Sequence, residues 1–109
     1  MITFSKRGLS TYRILNDDIE IGYITLRESK YSFCIDSISL DSKYRNKGFG
    51  REVINLLKTQ HKVIVGESSP LAYKFWEKMG AELEFTVTDS DVNRLMDEGV
   101  YVPFTIASA

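Results

Sequence analysis

The apolar residues of this chain keep one spacing as far as Leu40 and change to another at Gly48. Where the hydrophobic period passes from two to 3.6, a chain builds strands before the change and packs a helix on them after it. Before the change, Met1–Phe4 reads as a short edge strand and Thr11–Leu15 as a second strand, closed by the turn formers Asn16, Asp17 and Asp18. Ile19–Leu26 follows, with Ile19, Ile21, Tyr23 and Thr25 on one face and Glu20, Gly22, Ile24 and Leu26 on the other, as in a strand partly covered on both sides. In Tyr31–Leu40, strict alternation puts Cys34, Asp36, Ile38 and Leu40 on one face and Phe33, Ile35, Ser37 and Ser39 on the other.

After the change, Phe49, Val53, Leu56 and Leu57 form the apolar stripe of a helix that ends near Gln60. Lys62–Glu67 is compact and β-branched, as a buried central strand would be. Ser68–Ala81 predicts a second helix, capped by Ser68 or Ser69, with Pro70 in its first turn and Gly80 at its end; Leu71, Ala72, Phe75 and Met79 are expected to face inward. Glu82–Val87 predicts a strand, and Asp89 or Ser90 caps a short helix ending near Gly99. In the last strand, Val100–Ile106, Pro103 predicts a bulge or an unpaired position. An early antiparallel meander feeding a strand–helix–strand crossover belongs to the α/β class with a mixed sheet.

At 109 residues the chain suits one domain, and 43% hydrophobic with 27% charged residues is ordinary for a soluble protein. Fourteen basic and 15 acidic residues give a net charge of -1, which supports neither a nucleic-acid nor a membrane partner. Cys34 and His61 are each single, so no internal disulfide and no metal site is expected. The first residues lack the apolar core of a signal peptide and no run approaches a membrane span, so a cytoplasmic location is expected.

Leu40–Gly50 reads LDSKYRNKGFG and lies between a strand and a helix. The first amides of a helix lack internal partners and sit at the positive end of its dipole. Gly48 and Gly50 would let a phosphate approach that backbone, and Arg45 and Lys47 would add charge. By spacing alone, a tight structural turn with solvated lysines fits the residues as well.

Arg45–Gly50, "RNKGFG", resembles the R/Q-x-x-G-x-G/A signature of the GCN5-related N-acetyltransferase (GNAT) family. Ile19–Leu26 is similar to the family's "vGyi.l" strand, and Ile38–Lys58 to its fourth strand, pyrophosphate turn and third helix. "SSPLAYKFWEKMGAELEF" resembles its second motif, N-x-x-A-x-x-F-Y-E-K-x-G-F, so the likeness runs from about Asp17 to Phe85. It implies a GNAT-like acyl-CoA N-acyltransferase fold, a mixed and mostly antiparallel central sheet flanked by helices. It also implies transfer of acetyl from the cosubstrate acetyl-CoA to an amine of a small molecule or protein; the alternative is a non-catalytic domain for protein interaction or acyl-CoA sensing. Amides of Lys47, Gly48, Phe49, Gly50 and Arg51 would hold the pyrophosphate, with Asn46 in the same turn and Arg45 bracing it. The pantetheine arm would run beside Ile38, Ser39 and Leu40; Ser69 stands where the family often has asparagine, and Phe75 at the aromatic position near the arm.

The chemistry needs a proton acceptor for the attacking amine. Asp36 is the first choice, with burial expected to raise its pKa, and a surface carboxylate at the cleft edge is the structural alternative. Glu67 is the reserve base; Cys34, near the position where relatives often have glutamate, is expected to fill core volume. Trp76 stands where the family has the tyrosine that serves as acid, and an indole cannot replace it. Tyr73, one turn earlier, is the alternative acid or else a helix-surface aromatic. The family's one or two helices between its first two strands are reduced to Ser5–Ser10, so residues 1–109 are expected to form one compact domain lacking most of that early region. The acceptor side would then be open, or completed by a homo-oligomer or protein partner lying on Tyr12, Tyr23, Tyr31 and Phe33.

Overall fold

A computed structural model describes residues 1–108. The strands are β1 (Ile2–Lys6), β2 (Thr11–Asn16), β3 (Ile19–Glu28), β4 (Ser32–Leu40), β5 (Val63–Ser68), β6 (Glu82–Leu83) and β7 (Val102–Ile106). The helices are α1 (Phe49–Lys58), α2 (Tyr73–Lys78) and α3 (Val92–Asp97), with 3₁₀ turns at Ser42–Tyr44, Pro70–Ala72 and Asp89–Asp91. The seven strands form one sheet in the order β1-β2-β3-β4-β5-β7-β6. Among the described residues only β4 and β5 run parallel. Asp17 and Asp18 lie at φ 51° and 70°, the paired left-handed geometry that turns β2 into β3 without splaying them.

All three helices sit on one face of the sheet. Val53, Ile54 and Leu57 of α1 and Trp76 and Met79 of α2 share a core with Ile14, Ile24, Leu26, Phe33, Ile64 and Phe104. A smaller cluster joins Leu95 of α3 to Tyr73, Val87 and Val102. The opposite face, with Tyr23, Thr25, Arg27, Cys34, Ser37, Ser39 and Thr105, carries no helix among the described residues.

Two bulges change what alternation predicts. Ile14 pairs with Gly22 but Leu15 with Glu20, so Ile21 is an extra residue and joins Ile24 in the core. Thr25 pairs with Ser37 but Leu26 with Ile35, which leaves Asp36 as the extra residue of β4. A bulge resets the pleat. Phe33 and Ile35 therefore share the helical face with Ile38 and Leu40, while Cys34 and Asp36 share the bare face with Ser37 and Ser39. The strict alternation expected for Tyr31–Leu40 holds only as far as Asp36.

The expected second helix is divided at Tyr73, and Ser69 precedes its 3₁₀ turn without a side-chain cap bond. Leu71, expected inside, is 70% exposed because that turn ends before α2 sets the helical stripe. The strand expected over Glu82–Val87 pairs only at Glu82 and Leu83. Thr88, not Asp89 or Ser90, caps the last helical segment, in a reciprocal box with Asp91. Pro103 pairs in register with Glu67, and its carbonyl accepts from the Glu84 amide at 2.9 Å. Its missing N–H therefore faces the short β6 side, the unpaired position that proline requires.

Candidate functional site

The chain leaves β4 at Leu40 and enters α1 at Phe49 through a turn with two left-handed residues, Asn46 at φ 60° and Gly48 at φ 84°. A side chain at Gly48 would be strained by that conformation although it would meet no atom within 4 Å. Arg45 Nε donates to the Leu40 carbonyl at 2.9 Å, tying the turn to the end of β4. Among the described residues the amides of Asn46 through Arg51 make no backbone hydrogen bond, and α1 has no side-chain cap. The orphan donors expected at a helix start are thus all open.

These donors head a groove of about 630 Å³ lined by Leu40, Arg45, Asn46, Gly48, Gly50, Arg51, Leu71, Ala72, Phe75, Lys78 and Met79. It continues into a smaller cavity bounded by Ile38, Ser39, Leu40, Arg45, Gly50 and Phe75. Gly50 permits the close approach of the two helices, since a Cβ there would meet the Phe75 ring at 3.0 Å. The groove wall holds three cations and no carboxylate, and with the open amides this donor set is complementary to a phosphorylated ligand.

The groove runs toward a split in the sheet. The β4–β5 ladder spans Ser32–Ile35 against Val63–Gly66 and ends where Asp36 bulges. Beyond it, Asp36–Leu40 has no neighbour on the β5 side, which leaves an edge of backbone donors and acceptors beside the groove. On the bare face the split is marked by a cavity of about 490 Å³ lined by Arg27, Cys34, Ile35, Asp36, Val65, Gly66, Glu67, Pro103, Phe104 and Thr105.

The sites nominated by sequence separate into those that meet at the groove and those that do not. Ile38, Ser39, Leu40, Arg45, Asn46, Gly48, Gly50, Arg51 and Phe75 line it. Lys47 and Phe49 contribute no lining side chain; Phe49 packs edge-on against Tyr44 at 6.2 Å. Ser69 also lies off the groove, and its carbonyl accepts from Ser68 Oγ and the Ala72 amide. Leu71, Ala72, Lys78 and Met79 were not nominated. Their position in the second motif placed them nearby, but only the packing of α2 against α1 brings them into one wall.

The catalytic nominations need correction. Asp36 is exposed, and Arg27 Nε and Nη2 each reach it at 3.0 Å. The guanidinium hydrogen bond holds its carboxyl below the usual range, against the upward shift expected from burial. Cys34 is not core filler: it is half-buried on the bare face and its Sγ accepts from Arg27 Nη2 at 3.2 Å. Tyr73 is buried, and its hydroxyl donates to Asp89 Oδ1 on the α3 side rather than into the groove. That hydrogen bond pushes the phenol up to about 12, unsuited to proton donation near neutrality. Trp76, only 5% exposed, stacks on Phe104 with centroids 4.1 Å apart and belongs to the core.

No protein-family model matches the chain, and no curated protein matches its sequence. Solved structures do match its fold. Tetrahymena GCN5 superposes with a TM-score of 0.69 at 15% identity, over 91% of this chain and 68% of that one. An acetyltransferase assigned to the GNAT family from Bacteroides thetaiotaomicron gives 0.66 at 16%, over 91% and 61%. A Bacillus anthracis protein assigned as a streptothricin acetyltransferase, solved with acetyl coenzyme A, gives 0.63 at 24%, over 89% and 61%. The chain therefore spans about three fifths of the length of the last two. At such identities the agreement speaks for architecture: this chain has the GNAT-like acyl-CoA N-acyltransferase fold, a mixed and mostly antiparallel sheet with helices packed on it.

Proposed function

We propose that this chain binds acetyl-CoA and transfers its acetyl group to an amine. The observation that carries the reading is the run of open amides from Asn46 to Arg51, heading a groove that leads to the split between β4 and β5. The amides and the Arg45 side chain would hold the diphosphate, and the free edge of Ile38–Leu40 would pair with the pantetheine arm.

Bound acetyl-CoA supplies an activated acetyl carbonyl. The amine enters from the bare face, through the cavity beside Arg27, Asp36 and Glu67. Its nitrogen must be neutral to form the new C–N bond as the C–S bond breaks. The Asp36 carboxylate is paired with Arg27, whereas the Glu67 carboxylate makes no hydrogen bond or ion pair among the described residues. Glu67 is thus the free carboxylate of that cavity, and it takes the amine proton directly or through water. The departing sulfur takes its proton from solvent, because Trp76 and Tyr73 are both turned away from the groove. A soluble, cytoplasmic setting with an amine acceptor agrees with this reading; no helix is long and apolar enough to cross a membrane among the described residues.

The same withdrawal of Trp76 and Tyr73 favours a second reading, a domain that binds an acyl-CoA and signals through another protein. Titration with acetyl-CoA and CoA, followed by thiol release across an amine panel, separates the two. Binding with amine-dependent release supports the transferase; binding without release supports the second reading; no binding of either ligand rejects both.

A further inference from the structure

The two rims of the sheet differ. β6 offers only Glu82 and Leu83, a short edge of the kind that resists pairing with another strand. β1, at the other rim, runs from Ile2 to Lys6 in unbroken register with β2, without a proline or a bulge. The Arg7 amide donates to the Thr11 carbonyl at 2.8 Å and the Asp17 amide to the Met1 carbonyl at 3.3 Å. With Ile2 opposite Asn16 and Lys6 opposite Tyr12, these bonds fix Thr3 and Ser5 as the residues of β1 that bond to β2. The N–H and C=O groups of Ile2, Phe4 and Lys6 therefore point away from the sheet, and no strand of the described residues covers them.

Charge is divided along the same edge. Lys6 and Arg7 stand at its end, and Asp17 and Asp18 form the turn beside its start. The Met1 amine pairs with Asp17 at 2.6 Å, while Lys6, Arg7 and Asp18 enter no ion pair among the described residues. We propose that β1 is a dimerisation edge whose partner is β1 of a second copy, antiparallel about a two-fold axis through Phe4. That register sets Phe4 against Phe4 and Ile2 against Lys6, so every outward N–H meets an outward C=O. A slip by one residue would set outward groups against inward ones and lose the ladder. Thr3 meets Ser5 on the bare face, a pair able to hydrogen-bond across strands. The half-buried Phe4 rings meet on the helical face, each beside an apolar cavity of about 280 Å³ lined in part by Phe4, Tyr12, Leu26, Phe33 and Leu56. Lys6 and Arg7 of each copy lie toward Asp17 and Asp18 of the other, whereas a parallel pairing would set like charges together. β2 and β3 separate this edge from β4, so the dimer leaves the groove and the split open.

Sedimentation velocity of the full chain from about 1 to about 100 µM tests the assignment, and a monomer–dimer transition in that range is expected of a single strand-to-strand interface. Lys6→Pro removes an outward amide and no bond to β2, so it should weaken dimerisation about tenfold or more while the far-ultraviolet spectrum stays unchanged. Lys6→Glu with Arg7→Glu, both exposed positions, sets acid against acid and should weaken dimerisation by a similar factor at low salt. Adding Asp18→Asn, which suits the left-handed turn, should recover part of that loss because the opposing charge is gone. A chain that stays monomeric across the range would overturn the proposal. So would a dimer as tight in Lys6→Pro and in the double-Glu variant as in wild type, since the contact would then lie on another surface. A loss that Asp18→Asn leaves unrecovered would reject the antiparallel register.

Discussion

On the helix-covered face of the sheet, backbone groups are left without partners; on the bare face, side chains satisfy one another. The amides before α1 are open and their geometry is fixed by Gly48, Asn46 and the Arg45 brace. Across the sheet, Arg27 occupies Asp36 and touches Cys34, and Arg13 approaches Glu20 at 3.4 Å. The difference teaches that donors on the covered side are held open because they cannot relax toward one another, as the proposed binding of a phosphorylated ligand requires. The bare face is a set of exchangeable polar contacts beside which, among the described residues, the Glu67 carboxylate has no hydrogen bond or ion pair.

The widest test of this contrast concerns the core that holds the covered face in place. Trp76→Ala should destabilise the fold by about 3–5 kcal/mol, because it empties the stack on Phe104. A denaturation midpoint close to wild type would mean that Trp76 is not the structural residue described. Gly48→Asp should weaken acetyl-CoA binding about a hundredfold through charge repulsion and left-handed strain. Gly48→Ala, with strain but no charge, should lose less; equal losses would remove electrostatics from the account. On the bare face, Glu67→Gln should lower amine-dependent thiol release by about a hundredfold with acetyl-CoA affinity unchanged. Asp36→Asn should lower it only a few-fold, and a reversal of that order would return the base role to Asp36.

The smallest effect concerns pH. Asp36 and Asp89 are held below the usual range by hydrogen bonds from Arg27 and Tyr73 respectively. Since the unfolded value is about 4, both pairs add stability above that pH and lose it as pH falls through the lower folded value. Asp36→Asn should therefore flatten the acid limb of a stability profile slightly. An unchanged acid limb would show that so exposed a pair contributes nothing measurable. Tyr73→Phe should leave thiol release unaltered, while its Tm falls by a small amount as Asp89 loses a donor.

Much of the architecture was legible in the sequence because it is local. The period change at Gly48, the Asp17–Asp18 turn and the glycine turn before α1 each follow from side-chain size and backbone sterics over a few residues. Of the groove lining, Arg45, Asn46, Gly48, Gly50 and Arg51 were legible for the same reason, together with their likeness to a family motif. The surroundings of Asp36 and Tyr73 differ from those expected because they depend on partners distant in sequence. No local rule shows that Arg27 meets Asp36 across a strand pair, or that Asp89 claims the hydroxyl of Tyr73.

The sequence by itself determined the order of strands and helices and the glycine-containing turn before α1, where Gly48 offers no side chain to cap the helix. Only the tertiary structure decided where the sheet opens and which charges remain free. The bulge at Asp36 rephases β4 and ends its ladder with β5, and α2 packing on α1 gathers Lys78 with Arg51. Register and helix packing are settled by contacts between distant segments, whose energies no run of neighbouring residues contains.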